Sequence, residues 1–336
     1  MEGQELDQED KDSKEQEEEQ ESDHDLVHEV DLEKIKPNEA GKIMVVMFHN
    51  FVESFSPTKY DKGEYTMTFK AFDELLHVLY DKGYRLISFK DFLDNNISVP
   101  AGCIPMVFTF DDGTSGQFNL VEENGELKVN EKSAVGIMLE FNKKHPDFGA
   151  KGIFFINLGS NVFSGKGSVA ERLKYLVDLG FEIGNHTYSH INLREVKSAD
   201  IIQREIGNNQ KVMYELIPGY KMFAFSLPYG APSETLMEHV KRGEYEGIEY
   251  ENRAIVEVGW NPTPPAISKQ FNGSSISRVR SPGINPEKFD LYWWLENLSR
   301  QEQYISDGNA KKITIPKDKI DLIDSEKLGD KELIMY

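Results

Sequence analysis

One cysteine, Cys103, is present in 336 residues, so no intramolecular disulfide framework can form. It follows two small residues in PAGCIP and reads as buried packing. No apolar run approaches the roughly 18 residues of a membrane-spanning helix. No charged n-region followed by an apolar h-region marks a secretory leader. Basic residues are scarce: 38 Lys and Arg stand against 58 Asp and Glu, a net charge of −20. That balance provides no basic face for nucleic-acid phosphates and opposes charge-driven adhesion to anionic lipid. Apolar content is 39% and mean hydropathy −0.52. Much of the deficit lies at the start, where residues 1–23 carry 12 acidic and 2 basic side chains. Such a segment buries too little surface to offset its ordering entropy. Residues 1–40 therefore read as an acidic disordered tether, and 41–336 as the folded domain with a C-terminal extension.

Two segments carry chemistry, FTFDDG at 108–113 and HTYSH at 186–190. The first ends an apolar run on two adjacent carboxylates and a glycine. The second sets two imidazoles four residues apart. Two His and one Asp suffice to hold a divalent metal with an open position. The remaining Asp is then a spare carboxylate beside it, as hydrolysis requires.

Around these motifs, apolar runs alternate with helical periodicity. Strands are expected at 43–48, in YRLISF, and at 104–110, 151–159, FEIGNH, 222–230, 255–260 and ISRVRSPGI. Helices are expected at 68–83, in SAVGIMLEFNKKH, and at 168–180, 198–216, 233–243 and FDLYWWLENL. Residues 114–132 read as a polar surface hairpin, and the last 26 residues as short strand-like pieces. The order predicts an α/β fold, a distorted (β/α) barrel of about seven parallel strands, with chemistry at the strands' carboxyl ends. His49, Asp111, Asp112, His186 and Tyr229 each follow an expected strand. Singly, Asp-Gly is also a turn signal and His-x3-His recurs by chance; at the ends of separate strands of one barrel they argue for a common site.

The pair FTFDDG and HTYSH resembles the polysaccharide deacetylases with the NodB homology domain, carbohydrate esterase family 4, over roughly residues 41–260. The run from MVVMFH through GYRLISFKDFL to FTFDDG resembles the branch acting on poly-β-1,6-N-acetylglucosamine. The resemblance implies that Asp111 is the general base and that Asp112, His186 and His190 bind metal. It further implies that LPYG at 227–230 is the third motif, with the Tyr229 N–H at the oxyanion and Pro228 beside substrate. The sequence departs from the family twice. Ser226 and Leu227 stand where an arginine and proline are usual, leaving Arg278 or Arg280 to orient the base. No late Leu-x-His motif exists, and His239 lies in a polar helix. The resembled branch is circularly permuted and takes its acid from an N-terminal strand, which implies His49. Tyr188 and Trp260 are expected to stack on sugar rings; Trp293 and Trp294 are adjacent on one helix, so at most one faces any given direction.

The expected cofactor is Zn2+, with Co, Ni or Fe as alternatives for a His2Asp site. The expected partner is an N-acetylated glycan, met by a monomer at the cell surface. A leader absent from this sequence would carry the lipid anchor, as suits a Gram-positive surface protein. Two other readings stand beside this one: a catalytically weak glycan-binding lipoprotein of the same fold, and hydrolysis of another acyl or C–N bond.

Overall fold

The structure is a computed structural model that describes residues 31–59 and 61–336. Most of the expected tether lies outside the described residues. Its last part does not behave as tether: Asn38, Glu39 and Ala40 are buried, and Glu39 accepts the backbone N–H groups of Asp307 and Thr314. The folded domain therefore begins before residue 41.

Eight parallel strands form the central sheet: β1 (Met44–Phe48), β2 (Tyr84–Leu86), β3 (Ile104–Asp112), β4 (Ile153–Ile156), β5 (Glu182–Asn185), β6 (Ala224–Ser226), β7 (Ala254–Val256) and β8 (Val279–Arg280). The path runs β7-β6-β5-β4-β3-β1-β8. β1 lies along β3 from Met44 opposite Met106 to Phe48 opposite Phe110. On its other side β3 meets β2 over its first half and β4 over its second. A bridge between Val256 and Ile276 brings the two edges together, curling the sheet into the expected distorted barrel. The N-terminal strand is thus an interior strand, seated between β3 and the last strand.

Side-chain alternation along these strands sorts the core into two layers. Met44, Val46, Phe48, Phe108, Phe110 and Phe154 face outward, against α1 (Phe69–Asp81), α2 (Ala134–Lys144) and α3 (Val169–Asp178). α4 (Ala199–Leu216) lays Ile202 and Ile206 on Phe225 and Ile255. Val45, Val107, Phe155, Ala224, Val256 and Ile276 fill the interior. The same parity carries Thr109, Asp111, Ser226 and Arg278 into the barrel, and all four are buried.

Three expectations change in detail. β7 and β8 are shorter than the sequence runs suggest; beyond β7 the chain passes close to the segment before β8 at Gly259, where a Cβ would meet Ser277 Oγ at 2.0 Å. The helix expected at 233–243 is a 3-10 turn and one short helix, Met237–Lys241, followed by a hairpin of Arg242–Tyr245 with Ile248–Glu251. Its turn places Glu246 and Gly247 at φ 49° and 79°, the left-handed pair that suits strand twist. The stretch 114–132 does contain a hairpin, Leu120–Glu123 with Glu126–Val129, but Gln117, Phe118 and Leu120 before and within it are buried. At the C-terminus Lys312–Ile315 and Glu332–Met335 pair in parallel.

Candidate active site

The carboxyl end of β3 delivers two carboxylates into different surroundings. Asp111 completes the inward parity of Val107 and Thr109 and is 2% exposed. A buried carboxylate needs a partner, and Arg278 is that partner: Nη1 donates to Oδ1 at 2.7 Å and Nη2 to Oδ2 at 2.8 Å. The other three guanidinium N–H groups are also placed. Nε donates to the Glu257 carbonyl, Nη1 to Thr109 Oγ1 and Nη2 to Ser226 Oγ. Ser226 in turn donates to Asp111 Oδ2 at 3.1 Å. Phe155 lies beneath the guanidinium, 5.9 Å from its centre, and Gly184 makes room for that ring, since a Cβ there would lie 2.5 Å from it. Burial acts to raise the Asp111 carboxyl, but Arg278, helped by His186, overrides it and holds the group well below the usual carboxylate range.

Asp112 leaves extended geometry at φ 79°, and its Oδ1 lies 3.5 Å from His186 Nε2 and 3.3 Å from His190 Nε2. Donor atoms of the three residues all fall within 4.8 Å of one another. Ligands about 2.0–2.1 Å from a tetrahedral ion stand roughly 3.3–3.4 Å apart; the two Asp112–His separations are close to that spacing, so the three residues are a candidate set for a divalent cation. His186 Nδ1 sits 2.8 Å from the Ser226 carbonyl, which accepts its proton and leaves Nε2 as the ligand atom. Burial acts to raise Asp112 as well, yet the hydrogen bond and charge of His186 lower it. Burial lowers His190.

The loop after β5 is held by buried amides. Asn157 Nδ2 donates to the carbonyls of His186 and Thr187. Asn185 Oδ1 accepts from the Thr187 N–H and from Asn209 Nδ2. Glu205 accepts both the N–H and hydroxyl of Ser189. Thr187 and His190 are left-handed at φ 66° and 55°, and Tyr229 after β6 at φ 58°. Such non-glycine conformations cost about 1–3 kcal/mol each and persist where the surroundings over-determine them.

His49 follows β1 and places Nε2 3.9 Å from Asp111 Oδ2, with its side chain 18% exposed. Burial lowers its pKa against the pull of Asp111 and Asp112. Its backbone carbonyl accepts Gln117 Nε2 at 2.6 Å, and the same amide donates to the Asp111 carbonyl. Tyr65 packs edge-on against the imidazole with centroids 5.0 Å apart.

Asp111, Asp112, His49, His186 and His190 therefore lie together at the carboxyl ends of the strands. The Tyr229 ring lies 4.9 Å from that of His190 and is 58% exposed. Tyr188 is half-buried against Gly159. Two expected residues are placed otherwise. Pro228 is buried and presents no face to a ligand. Arg280, two residues beyond Arg278, clears the barrel interior and pairs with Glu287, so it does not orient Asp111. Gln117, Thr109, Tyr65 and the three Asn residues were not anticipated. Nothing local marks them; Gln117 sits at the start of a stretch that reads as polar surface.

Residues 99–248 match the polysaccharide deacetylase family. No curated relative matches the sequence. Among solved structures, the Streptococcus pyogenes deacetylase PplD, in complex with acetate, superposes with a TM-score of 0.55 at 18% identity, covering 77% of this chain and 98% of its own. BC0361, a polysaccharide deacetylase from Bacillus cereus, gives 0.55 at 16% identity over 77% of this chain and 69% of its own. At these identities the likeness is one of fold. The family match spans β3 and the histidine loop, and the barrel is the fold of these solved deacetylases.

Proposed function

We propose that the chain is a metal-dependent hydrolase that removes N-acetyl groups from an N-acetylglucosamine-containing cell-surface or cell-wall polysaccharide. The observation that carries this reading is the juxtaposition at β3. A spare carboxylate, Asp111, stands beside a three-residue ligand set and 3.9 Å from the imidazole of His49. Asp112, His186 and His190 would hold the cation, with zinc the first choice and cobalt, nickel or iron alternatives. A divalent cation there polarises an amide carbonyl and acidifies water.

Asp111 takes the proton of the attacking water as base. Arg278 keeps that carboxylate ionised and fixes both of its oxygens, so its orientation does not depend on substrate. The Tyr229 N–H, presented by the left-handed turn after β6, stabilises the developing oxyanion. Protonated His49 donates to the departing glucosamine nitrogen, because an amide expels an unprotonated amine poorly. Tyr188 and the exposed Tyr229 ring border the place the sugar occupies.

The weaker-catalysis alternative drew on Ser226 standing where the family usually has arginine. Arg278 supplies the guanidinium from the opposite edge of the sheet, and Ser226 joins it on Asp111, which favours the catalytic reading. No described helix is long and apolar enough to cross a membrane. A glycan substrate supports action at the cell exterior, and the acting unit in this reading is a monomer. The β-1,6-linked N-acetylglucosamine polymer is the first candidate, from the resemblance of β1 and β3 to that branch.

Acetate release from N-acetylglucosamine oligomers, with zinc or cobalt supplied, tests the proposal. Asp111→Asn and His49→Ala are each expected to lose at least about 100-fold in kcat. Undiminished release by either variant, or none by the wild type with metal bound, overturns it.

A further inference from the structure

The ladder between β1 and β3 stops one pair short of the reacting residues. Its last partners are Phe48 and Phe110, and the next pair in register is His49 and Asp111. Beyond this point β3 continues against β4, where Asp111 lies opposite Phe155. A side chain takes over where the β1–β3 ladder ends. Gln117 is fully buried, and its Nε2 donates to the His49 carbonyl at 2.6 Å and to the Asp111 carbonyl. Thr114 Oγ1 adds a longer hydrogen bond to the His49 carbonyl, at 3.4 Å.

Gln117 is held from behind by the helix layer. N–H groups at a helix start have no partner within the helix. Those of Ala134 and Val135, which open α2, donate to the Gly116 and Gln117 carbonyls at 2.9 and 3.0 Å. Gly116 passes so close to the chain after His49 that a Cβ would meet the Phe51 carbonyl oxygen at 2.1 Å. Space filling does not explain the glutamine. Its Oε1 is buried with no donor among the described residues, a cost that methionine or leucine would avoid. What the position uses is the pair of N–H groups.

The two residues it joins are held unequally. Arg278 and Ser226 grip the Asp111 carboxylate directly. Among the described residues the His49 ring makes no hydrogen bond: Asp111 Oδ2 stands 3.9 Å from Nε2, and Tyr65 packs edge-on. The imidazole therefore sits where its backbone puts it, and Gln117 holds that backbone.

We propose that Gln117 is a positioning residue that clips His49 to Asp111 and sets the acid–base spacing across which the acetamide must fit. The inference rests on the deacetylase reading and deepens it. One amide nitrogen replaces the next rung of the ladder, so the strand ends are tied without closing on each other. Because Asp111 has its own supports, loss of the clip falls mainly on the acid. A misplacement of about 1 Å can cost 10²-fold in rate.

Leaving-group dependence tests this. The amide C–N bond breaks with the electron pair going to nitrogen, which needs a proton from the acid. The C–O bond of 4-nitrophenyl acetate breaks to a stable phenolate that needs none. Gln117→Met, close in volume but without a donor, should lower the amide-to-ester ratio of kcat about 30-fold, with N-acetylglucosamine tetramer as the amide. His49→Ala should lower the ratio as well, and adding Gln117→Met to it should lower the ratio no further. Gln117→Asn keeps the amide one methylene short of bridging both carbonyls, and should lower the ratio by a smaller factor. It decides the matter if Gln117→Met does not fold. Both substrates falling in proportion, or an unchanged ratio, overturns the positioning role and leaves the deacetylase reading intact. Ester hydrolysis by the wild type without acetate release from any oligomer sinks the deacetylase reading. Crystal structures of wild type and Gln117→Met then judge the clip separately: a shift of His49 Nε2 from Asp111 Oδ2 by about 1 Å or more supports it, and an unmoved ring overturns it.

Discussion

Replacing Arg278 with methionine removes five donated hydrogen bonds at one stroke: to Glu257, Thr109, Ser226 and both oxygens of Asp111. Both partners of the ion pair are essentially inaccessible to water. The large term is the carboxylate left behind, since breaking a buried pair from one side costs about 3–5 kcal/mol. Against a total stability of about 5–15 kcal/mol, the variant folds but is visibly weakened. The pH dependence carries the sharper signature. In the wild type Asp111 is depressed in the folded state, so its contribution is present above the unfolded carboxylate range and is lost as pH falls through and below it. Without Arg278, burial becomes dominant and raises Asp111. Its contribution then changes sign, favouring the folded state at low pH and fading as pH rises. Urea unfolding of metal-free protein from pH 4 to 8 reads both effects, with the wild type subtracted to cancel the other carboxylates. Asp111→Asn in the Arg278→Met background should recover at least about 2 kcal/mol by removing the stranded charge. A single variant within ~1 kcal/mol of wild type at pH 7, or a double variant no more stable than Arg278→Met, refutes the reasoning. Arg278→Lys should fall between, keeping the charge but not the fork.

Two further outcomes follow from the same geometry. His190→Ala leaves two donors of the set, so cobalt affinity measured by calorimetry should fall at least about 100-fold and chelator-stripped wild type should show the same inactivity; metal binding unaltered by the substitution would dismiss the ligand assignment. Glu182 caps the short helix Phe89–Leu93 through the N–H groups of Phe89 and Lys90, and burial pushes its carboxyl up to about 7. A raised carboxyl contributes fully below its unfolded value and loses that contribution as pH climbs through 7. Stability should therefore drop by up to ~3 kcal/mol between pH 5 and 8, with a shallower slope in Glu182→Gln; parallel slopes in the two proteins would contradict this.

The motifs were legible because the chemistry sits where short-range pattern is strongest. FTFDDG and HTYSH each end an apolar run, and a run's end is readable without knowing what packs beside it. The family match covers both motifs but begins only at residue 99. His49, before it, is a candidate because IMVVMF is as clear a strand as any in the chain. What supports these residues was hidden for a physical reason. Arg278 and Arg280 share a face by strand alternation, and only the depth of the barrel decides that one reaches Asp111 and the other clears the mouth. Gln117 is a polar residue at the head of a polar stretch, and its burial depends on β1 and β3 lying side by side. The helix expected at 233–243 gives way at Arg242 to a hairpin that no local signal marked, because its turn uses Glu246 where Asn or Gly would have announced it.

The supporting groups also explain how the proposed ligand set is held together by the protein itself. A closed structural site can be assembled by its metal, because binding free energy is folding free energy. A site of three ligands with an open position gains less from its ion and must be held by the protein. Here the left-handed backbone at Asp112, Thr187 and His190 points the three side chains at one spot. Its strain is opposed by Asn157, Asn185 and Asn209, each buried and each bonded to backbone around the histidine loop or the strands beside it. A buried amide that lost its partner would cost about 1–3 kcal/mol, so relaxing the loop toward ordinary backbone would orphan more groups than it relieved. The motif supplies ligand atoms, and the neighbouring strands and α4 supply the geometry. The first is therefore readable from five consecutive letters, and the second only from the fold.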